Sequence, residues 1–404
     1  MYEKNLLGLS KNWAGPRSRI GVYILSRRNV IIGAILLVVF TFTATAGGFL
    51  YLLNGKSNDI VSSFKFFRAL EMVKERYVEP VPMETLIAGA VKGMVNSLGD
   101  PHSIYMDAKM YKEFAIETEG SFNGVGIVIG MKDKTLTVIS PIEGTPSDKA
   151  GIESGDQIIQ IDGKDSKDMA LDEAVSKIRG VEGSTVVLGI RRGNEAVKEY
   201  AIIRSSIQIK TVSGKMLPNH IAYLRISMFN ENTGRDFAQK YKELEKEGMQ
   251  AIVLDLRDNP GGLLQESVKV SNFFVPKGPI VSVVTRDGHR EVHSSTLEAV
   301  KYPVAVLVNG GSASASEIVS GAIQDTGVGT LIGTKTYGKG SVQTVLKFDG
   351  GAIKLTIAKY LTPNDRSING VGIEPDIKVE MEQGSSKDIQ LEKAIQVMKE
   401  KSPK

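Results

Sequence analysis

Residues 30–53 contain no Asp, Glu, Lys or Arg and consist mostly of Ile, Leu, Val, Phe and Ala. As a helix rising about 1.5 Å per residue, the run is roughly 36 Å long, enough to cross the hydrocarbon layer of a bilayer. Lys4, Lys11, Arg17, Arg19, Arg27 and Arg28 precede it against Glu3 alone, whereas beyond it Lys56 is soon followed by Asp59. The positive-inside rule then makes 1–29 a cytoplasmic basic tail and 30–53 a single-pass anchor in the cell membrane, with everything that follows extracytoplasmic. Ala44, Thr45 and Ala46 offer the small-x-small pattern of a cleaved signal peptide, which is the competing reading. The apolar residues that continue through 50–53 favour the anchor.

With 404 residues, 42% of them apolar and 24% charged, the chain can bury more than one core. The net charge of +4 is small, and no stripe of aromatic and basic residues suggests stacking on bases, so no nucleic acid partner is expected. Absence of cysteine removes a thiol nucleophile and thiolate metal ligands. The histidines are His102, His220, His289 and His293, none at HExxH spacing, so neither a metal nor another cofactor is expected.

Past the apolar run, Phe66 or Phe67, Leu70, Val73 and Tyr77, and then Leu86, Ala90, Val91 and Met94, recur at helical spacing and predict a helical region over 57–114. The loop 99–103 interrupts it. His102 in that loop is a tempting catalytic base, but a histidine between Asp100 and Ser103 more often satisfies local hydrogen bonds. Over 122–204, short β-branched runs at 126–129, 135–139, 157–161 and 185–190 predict a mainly-β module. After residue 207 strands and helices alternate: strand 222–226, helix 233–246, strand 251–256, helix 264–274, strands 280–284 and 304–308. A further strand over 352–360 and a closing helix around Leu391, Ala394, Ile395 and Met398 complete an α/β core.

The block 309–343 sets the serines Ser312, Ser314 and Ser316 about 25 residues before a glycine-flanked lysine, Lys339. The serines open an apolar-periodic segment, so they stand at a helix N-terminus, where orphan N–H groups and the helix dipole suit an attack that creates an oxyanion. A hydroxyl needs a base to become a nucleophile, and lysine is a base only when neutral, which burial away from carboxylates achieves. Taken alone, a Ser/Gly-rich string reads as a flexible loop. Residues 333–339 imitate a phosphate-binding loop, but Gly340 stands where that motif needs a hydroxyl, and 341–348 alternates as a strand instead of opening a helix.

Together with LGDPHS near Asp100, GSFNGVGI before the β module, LDLRDNPGG around Arg257 and GVGIEPD ending at Asp376, this block resembles the carboxy-terminal processing, or tail-specific, proteases. The resemblance covers nearly everything after the first 60 residues. It implies an α/β protease core over 205–380, similar to crotonase and Clp-type folds. An inserted mainly-β PDZ domain is implied over 115–204, with the N-terminal helical region before it, one transmembrane helix, and a C-terminal helix over 381–404. Within SASASE it implies Ser314 as nucleophile, with Lys339 as base and Gln343 orienting the lysine. The Ala315 N–H and a donor from the turn Gly261–Gly262, at the carboxyl end of a buried strand, are the expected oxyanion hole. Gly124, Val125, Gly126 and Ile127 are the expected carboxylate-binding loop of the PDZ domain, whose partners would be protein substrates with exposed C-termini. Arg179 is either a surface arginine or a residue coupling that domain to the active site. The N-terminal helical region can mediate a homodimer in the family. The alternative from another class is a non-catalytic PDZ receptor or scaffold.

Overall fold

A computed structural model describes residues 27–52, 57–132, 134–381 and 387–401. It divides into two compact units, Met1–Ile87 and Ala88–Lys404. The expected basic tail lies outside the described residues except for 27–29.

In the first unit the charge-free run forms the helix Arg27–Leu52. Its segment Arg27–Gly48 is long and apolar enough to cross a membrane, and none of it is buried against protein. The hydroxyls of Thr41, Thr43 and Thr45 donate back to the carbonyls of Leu37, Val39 and Thr41 at 2.8, 2.9 and 2.6 Å. Such back-bonding satisfies these threonine hydroxyls without water. A second helix, Ser57–Arg76, exposes Phe64, Phe66 and Phe67.

The α/β core of the second unit rests on a six-stranded sheet. Its order is Val212–Leu217, Ile221–Ile226, Ala251–Asp255, Val304–Val308, Gly329–Gly333 and Ile377–Lys378, with all but the first strand parallel. Parallel strands need cover on both faces, and the period of two shows how it is supplied. Ile252, Leu254, Val304 and Val306 meet Phe237, Val270, Ile318 and Ala322 from the helices Thr233–Lys246, Leu264–Ser271 and Ala315–Asp325. Val253, Ala305 and Leu307 turn the other way, onto Ala394, Val397 and Met398 of the helix Ile389–Lys401. Arg257 ties that helix to the sheet, donating to Asp255 at 2.7 Å and to both carboxylate oxygens of Asp388 at 2.8 Å.

A second, antiparallel sheet is organised by the long strand Gly351–Leu361. Ser341–Phe348 pairs along one of its edges, while Ile104–Met106 and Gly278–Thr285 share the other. The PDZ module has the strands Ile127–Lys132, Thr135–Pro141, Gln157–Ile161, Thr185–Arg191 and Lys198–Ile203, closed by the helix Leu171–Ile178 over its own apolar core. An antiparallel ribbon, Ser121–Gly124 with Ser205–Gln208, carries the chain into and out of it.

Between the N-terminal helices and this ribbon stands the helix Ala108–Glu119, which crosses the expected boundary at 114/115. Asp107 caps its start by accepting from the Met110 N–H at 2.8 Å, and Gly120 ends it at φ +69°. None of its residues is fully buried, so it lacks the strong apolar stripe by which helices are read from sequence. One of its sides closes over the cleft described next.

Candidate active site

The serine run is held by the turn 258–262. Ser312 is fully buried, donating to the Leu256 carbonyl at 2.7 Å and accepting from the Asn309 N–H at 3.0 Å. Ser316, also buried, donates to the Asn259 carbonyl at 3.0 Å. Both hydroxyls are thereby spent on structure. Ser314 stands between them at φ +53° and ψ −113°, a conformation costly for any side chain with a Cβ. Its N–H donates to Glu317 Oε2 at 2.8 Å, and its carbonyl accepts from the Glu317 N–H at 2.8 Å and from the Tyr360 hydroxyl at 3.0 Å.

Glu317 links this turn to the lysine. Fully buried, its carboxylate also accepts from the Thr336 hydroxyl at 2.6 Å, the Gly338 N–H at 2.7 Å and the Lys339 N–H at 2.9 Å. Tyr360 does the same from the other side, its hydroxyl lying 2.5 Å from the Lys339 carbonyl as well as within reach of Ser314. Two segments about 25 residues apart are thus fastened by one carboxylate and one phenol. Ser314-Ala-Ser-Glu317 has the S-x-x-E spacing of a capping box, the sequence signal by which Glu317 could have been found.

Ser314 and Lys339 face one cleft of about 680 Å³, which Phe229, Gly262, Ile318 and Val342 line from the core and Phe114 and Glu117 from the helix Ala108–Glu119. Lys339 is half-buried and its pKa is lowered, first by burial and then by the neighbouring cation of Lys354, against the opposing pull of Asp100 and Glu317. Among the described residues no carboxylate pairs with its ammonium, and no hydrogen bond joins it to Ser314. Gln343 lines the same cleft, but its amide donates to the Ser341 and Thr356 hydroxyls at 2.9 and 3.1 Å and not to Lys339.

The expected oxyanion donors fall on either side of Ser314. Gly261 approaches it so closely that a Cβ would lie 2.7 Å from that of Ser314. Its own N–H, however, is taken by Asn259 Oδ1 at 2.9 Å. The N–H groups of Gly262 and Ala315 have no partner among the described residues. Gly262 is exposed on the cleft wall, and Ala315 begins the serine helix.

The loop 99–103 reaches the same region. Ser103 donates to Asp100 at 2.6 Å and accepts from the Thr356 N–H at 3.0 Å. Burial pushes the Asp100 carboxyl up, but hydrogen bonds from Ser103, Thr356 and His102 outweigh it and hold the carboxyl below its ordinary value. Burial and then the Lys339 cation push His102 down. Among the described residues its ring makes no hydrogen bond to Ser314, so His102 is not placed as that hydroxyl's base.

In the PDZ module, Gly124, Val125, Gly126 and Ile127 line a groove of about 100 Å³ between the strand Ile127–Lys132 and the helix Leu171–Ile178, with Val175 and Ile178 forming its far wall. Gly126 sits at φ +80°, where a Cβ would come within 2.4 Å of Thr145. Its carbonyl is fixed by the Ile142 N–H and the Ser147 hydroxyl, both at 2.8 Å. Arg179 stands at the end of the groove, its guanidinium 4.6 Å over the Phe122 ring, with no ion-pair partner among the described residues.

The strained serine turn and the half-buried lysine thus share one cleft, and a separate groove lies on the β module. The family model for peptidase family S41 matches residues 220–379, that for the PDZ domain 113–191, and that for the N-terminal domain of the activating protease CtpB 53–110. The carboxy-terminal processing protease CtpA of Bacillus subtilis is 40% identical, the match covering 78% of this chain and 69% of CtpA. CtpB of the same organism is 40% identical over 82% of this chain and 71% of its own. Among solved structures, a photosystem II D1 C-terminal processing protease is 29% identical with a TM-score of 0.48, covering 86% of this chain and 92% of that one. By its relatives at 40% identity, the chain belongs to the S41 family of carboxy-terminal processing serine peptidases. The reading as a non-catalytic scaffold is set aside by that kinship.

Proposed function

We propose that the chain is a membrane-anchored, extracytoplasmic endopeptidase that captures protein C-termini in its PDZ groove and cuts them with Ser314 and Lys339. The observation that carries this reading is the shared clamp of Glu317 and Tyr360, which serves no purpose in a flexible Ser/Gly loop but holds a hydroxyl and a half-buried, unpaired lysine to one cleft. Neutral Lys339 takes the proton of Ser314 as its Oγ attacks the scissile carbonyl carbon. The N–H groups of Ala315 and Gly262 receive the oxyanion, a role for which Gly261 serves by bringing the backbone close. Collapse of the tetrahedral species expels the amine, which leaves with the proton from Lys339. Water, deprotonated by the same lysine, then attacks the acyl-enzyme and releases the new C-terminus with regeneration of Ser314.

Engagement of Lys339 with Ser314 and of Gln343 with Lys339 belongs to the substrate-bound arrangement, since catalytic hydrogen bonds often tighten only there. Arg179, a cation with no ion-pair partner among the described residues at the end of the peptide groove, fits a role in linking groove occupancy to the active site. The exposed Phe64, Phe66 and Phe67 fit a homodimer through the N-terminal helices.

Ser314→Ala should abolish peptide-bond hydrolysis, while Ser312→Ala and Ser316→Ala retain measurable turnover. Because the Lys339 pKa is lowered and only the neutral form is active, kcat/KM should rise with pH through a single limb below the ordinary lysine range. Hydrolysis surviving in Ser314→Ala, or a limb abolished by His102→Ala but kept in Lys339→Ala, refutes the assignment.

A further inference from the structure

A second lysine lies in the catalytic cleft. Lys354, on the strand Gly351–Leu361, lines it together with Ser314 and Lys339. Its neighbours across the sheet are apolar, Ile104 on one side and Val345 on the other. It is half-buried, and no carboxylate lies within ion-pair distance of it among the described residues. An ammonium so placed costs free energy that a methionine of similar reach would not, so packing alone does not account for it. Burial pulls its pKa below the ordinary lysine value, and two features oppose that pull in favour of the charged form. Its Nζ stands 5.0 Å from the centroid of the Phe114 ring, a cation–π contact, and Glu117 follows one turn later on the same helix.

We propose that Lys354 is a positioning residue for the catalytic base, a fixed cation whose field keeps Lys339 in the neutral form that accepts the Ser314 proton. The inference rests on the Ser314 and Lys339 reading above. The charged and titratable groups around Lys339 are Asp100 and His102 from the loop 99–103, Glu317 from the serine helix and Lys354 from the sheet. Glu117 faces Lys354 from the helix over the cleft. Both nearby carboxylates are committed elsewhere, Asp100 to Ser103 and the His102 N–H, Glu317 to its four donors, yet each still favours a charged Lys339. Burial opposes them, and Lys354 is the cation that adds to it. A lysine beside a second cationic group in a water-poor site is one of the general routes to a neutral amine.

The test is the pH profile of kcat/KM for the full-length protein in detergent, on an internally quenched peptide with a free apolar C-terminus. In Lys354→Met the acid limb should move to higher pH, so that activity near neutrality falls roughly threefold to tenfold and returns at alkaline pH. Lys354→Arg keeps the cation and should overlay the parent profile, which a merely structural role would not require. Glu117 is exposed, so Glu117→Gln folds whatever happens to the lysine variants. Removing the carboxylate that supports the Lys354 cation should weaken its field on Lys339 and move the limb to higher pH. An unmoved limb in Lys354→Met, or in Glu117→Gln if Lys354→Met fails to fold, overturns the proposal, as does Lys354→Arg shifting as far as Lys354→Met. Lys339→Met separates the two levels. If it keeps the parent limb, the Ser/Lys reading itself fails, whereas an inactive Lys339→Met beside an unmoved Lys354→Met limb rejects only the role of Lys354.

Discussion

Ser314 occupies the backbone conformation of the first central residue of a type II′ turn, where glycine is the ordinary choice. A serine persists there because Glu317, Tyr360 and two backbone N–H groups bind its main chain on both sides. Ser314 lines the cleft in this strained conformation, and the release of the strain should be measurable. Ser314→Gly should be more stable to thermal unfolding than Ser314→Ala by about 1 kcal/mol, because only the alanine retains a Cβ at positive φ. Equal melting temperatures for the two variants would show that the turn is relaxed. Ser312→Ala is the contrasting case: a buried hydroxyl with two backbone partners is lost, and about 1–2 kcal/mol of stability should go with it.

Two elements frame the chemistry from outside the core. The helix Ala108–Glu119 covers the cleft and runs through Gly120 directly into the PDZ ribbon. That junction is anchored by the Ile209 N–H to the Gly120 carbonyl at 2.8 Å and the Glu231 N–H to the Thr118 carbonyl at 3.0 Å. A Cβ at Gly120 would lie 2.3 Å from Asn230 Nδ2, so the chain passes here only as glycine. If the N–H groups of 124–127 receive a terminal carboxylate, as proposed, donors left poorly paired cost about 1–3 kcal/mol. Amidating the C-terminus of a peptide substrate should therefore slow its cleavage. Gly126→Glu, strained by φ +80° and by Thr145, should remove the difference between free and amidated substrates while leaving Ser314 open to a fluorophosphonate. Equal rates for free and amidated peptides in the parent protein would sink tail recognition without touching the Ser314 chemistry.

For the molecule as a whole, the proposed topology rests on charge and length. The helix Arg27–Leu52 satisfies its threonine hydroxyls internally and is apolar over residues 30–48, as a bilayer requires. A reporter enzyme fused after residue 53 should be active only outside the cytoplasm, and the mature protein should sediment with membranes. A soluble mature form starting near Gly47 would establish the signal-peptide reading instead.

How much of this was legible in the chain depends on the range of the interactions involved. The parallel core was readable because its strands are continuous apolar runs and its helices have a strong stripe, so 233–246 and 304–308 appear where periodicity puts them, as does the alternating strand 341–348 of the antiparallel sheet. Three serines and a lysine in one block were visible as residue types, and the apolar run 30–53 was visible as a helix long enough to cross a bilayer. The helix Ala108–Glu119 was not legible, since its residues face a cleft and solvent instead of a core. Nor was the division of labour among Ser312, Ser314 and Ser316 readable without the family resemblance. It rests on carbonyls of Leu256 and Asn259, more than 50 residues away in the chain. The lowering of the Lys339 pKa is likewise decided only in three dimensions. Periodicity records which way a side chain points, but the pKa of an amine depends on what stands around it. Burial here, Lys354 across the cleft, and carboxylates already occupied by other donors are relations that only the folded chain creates.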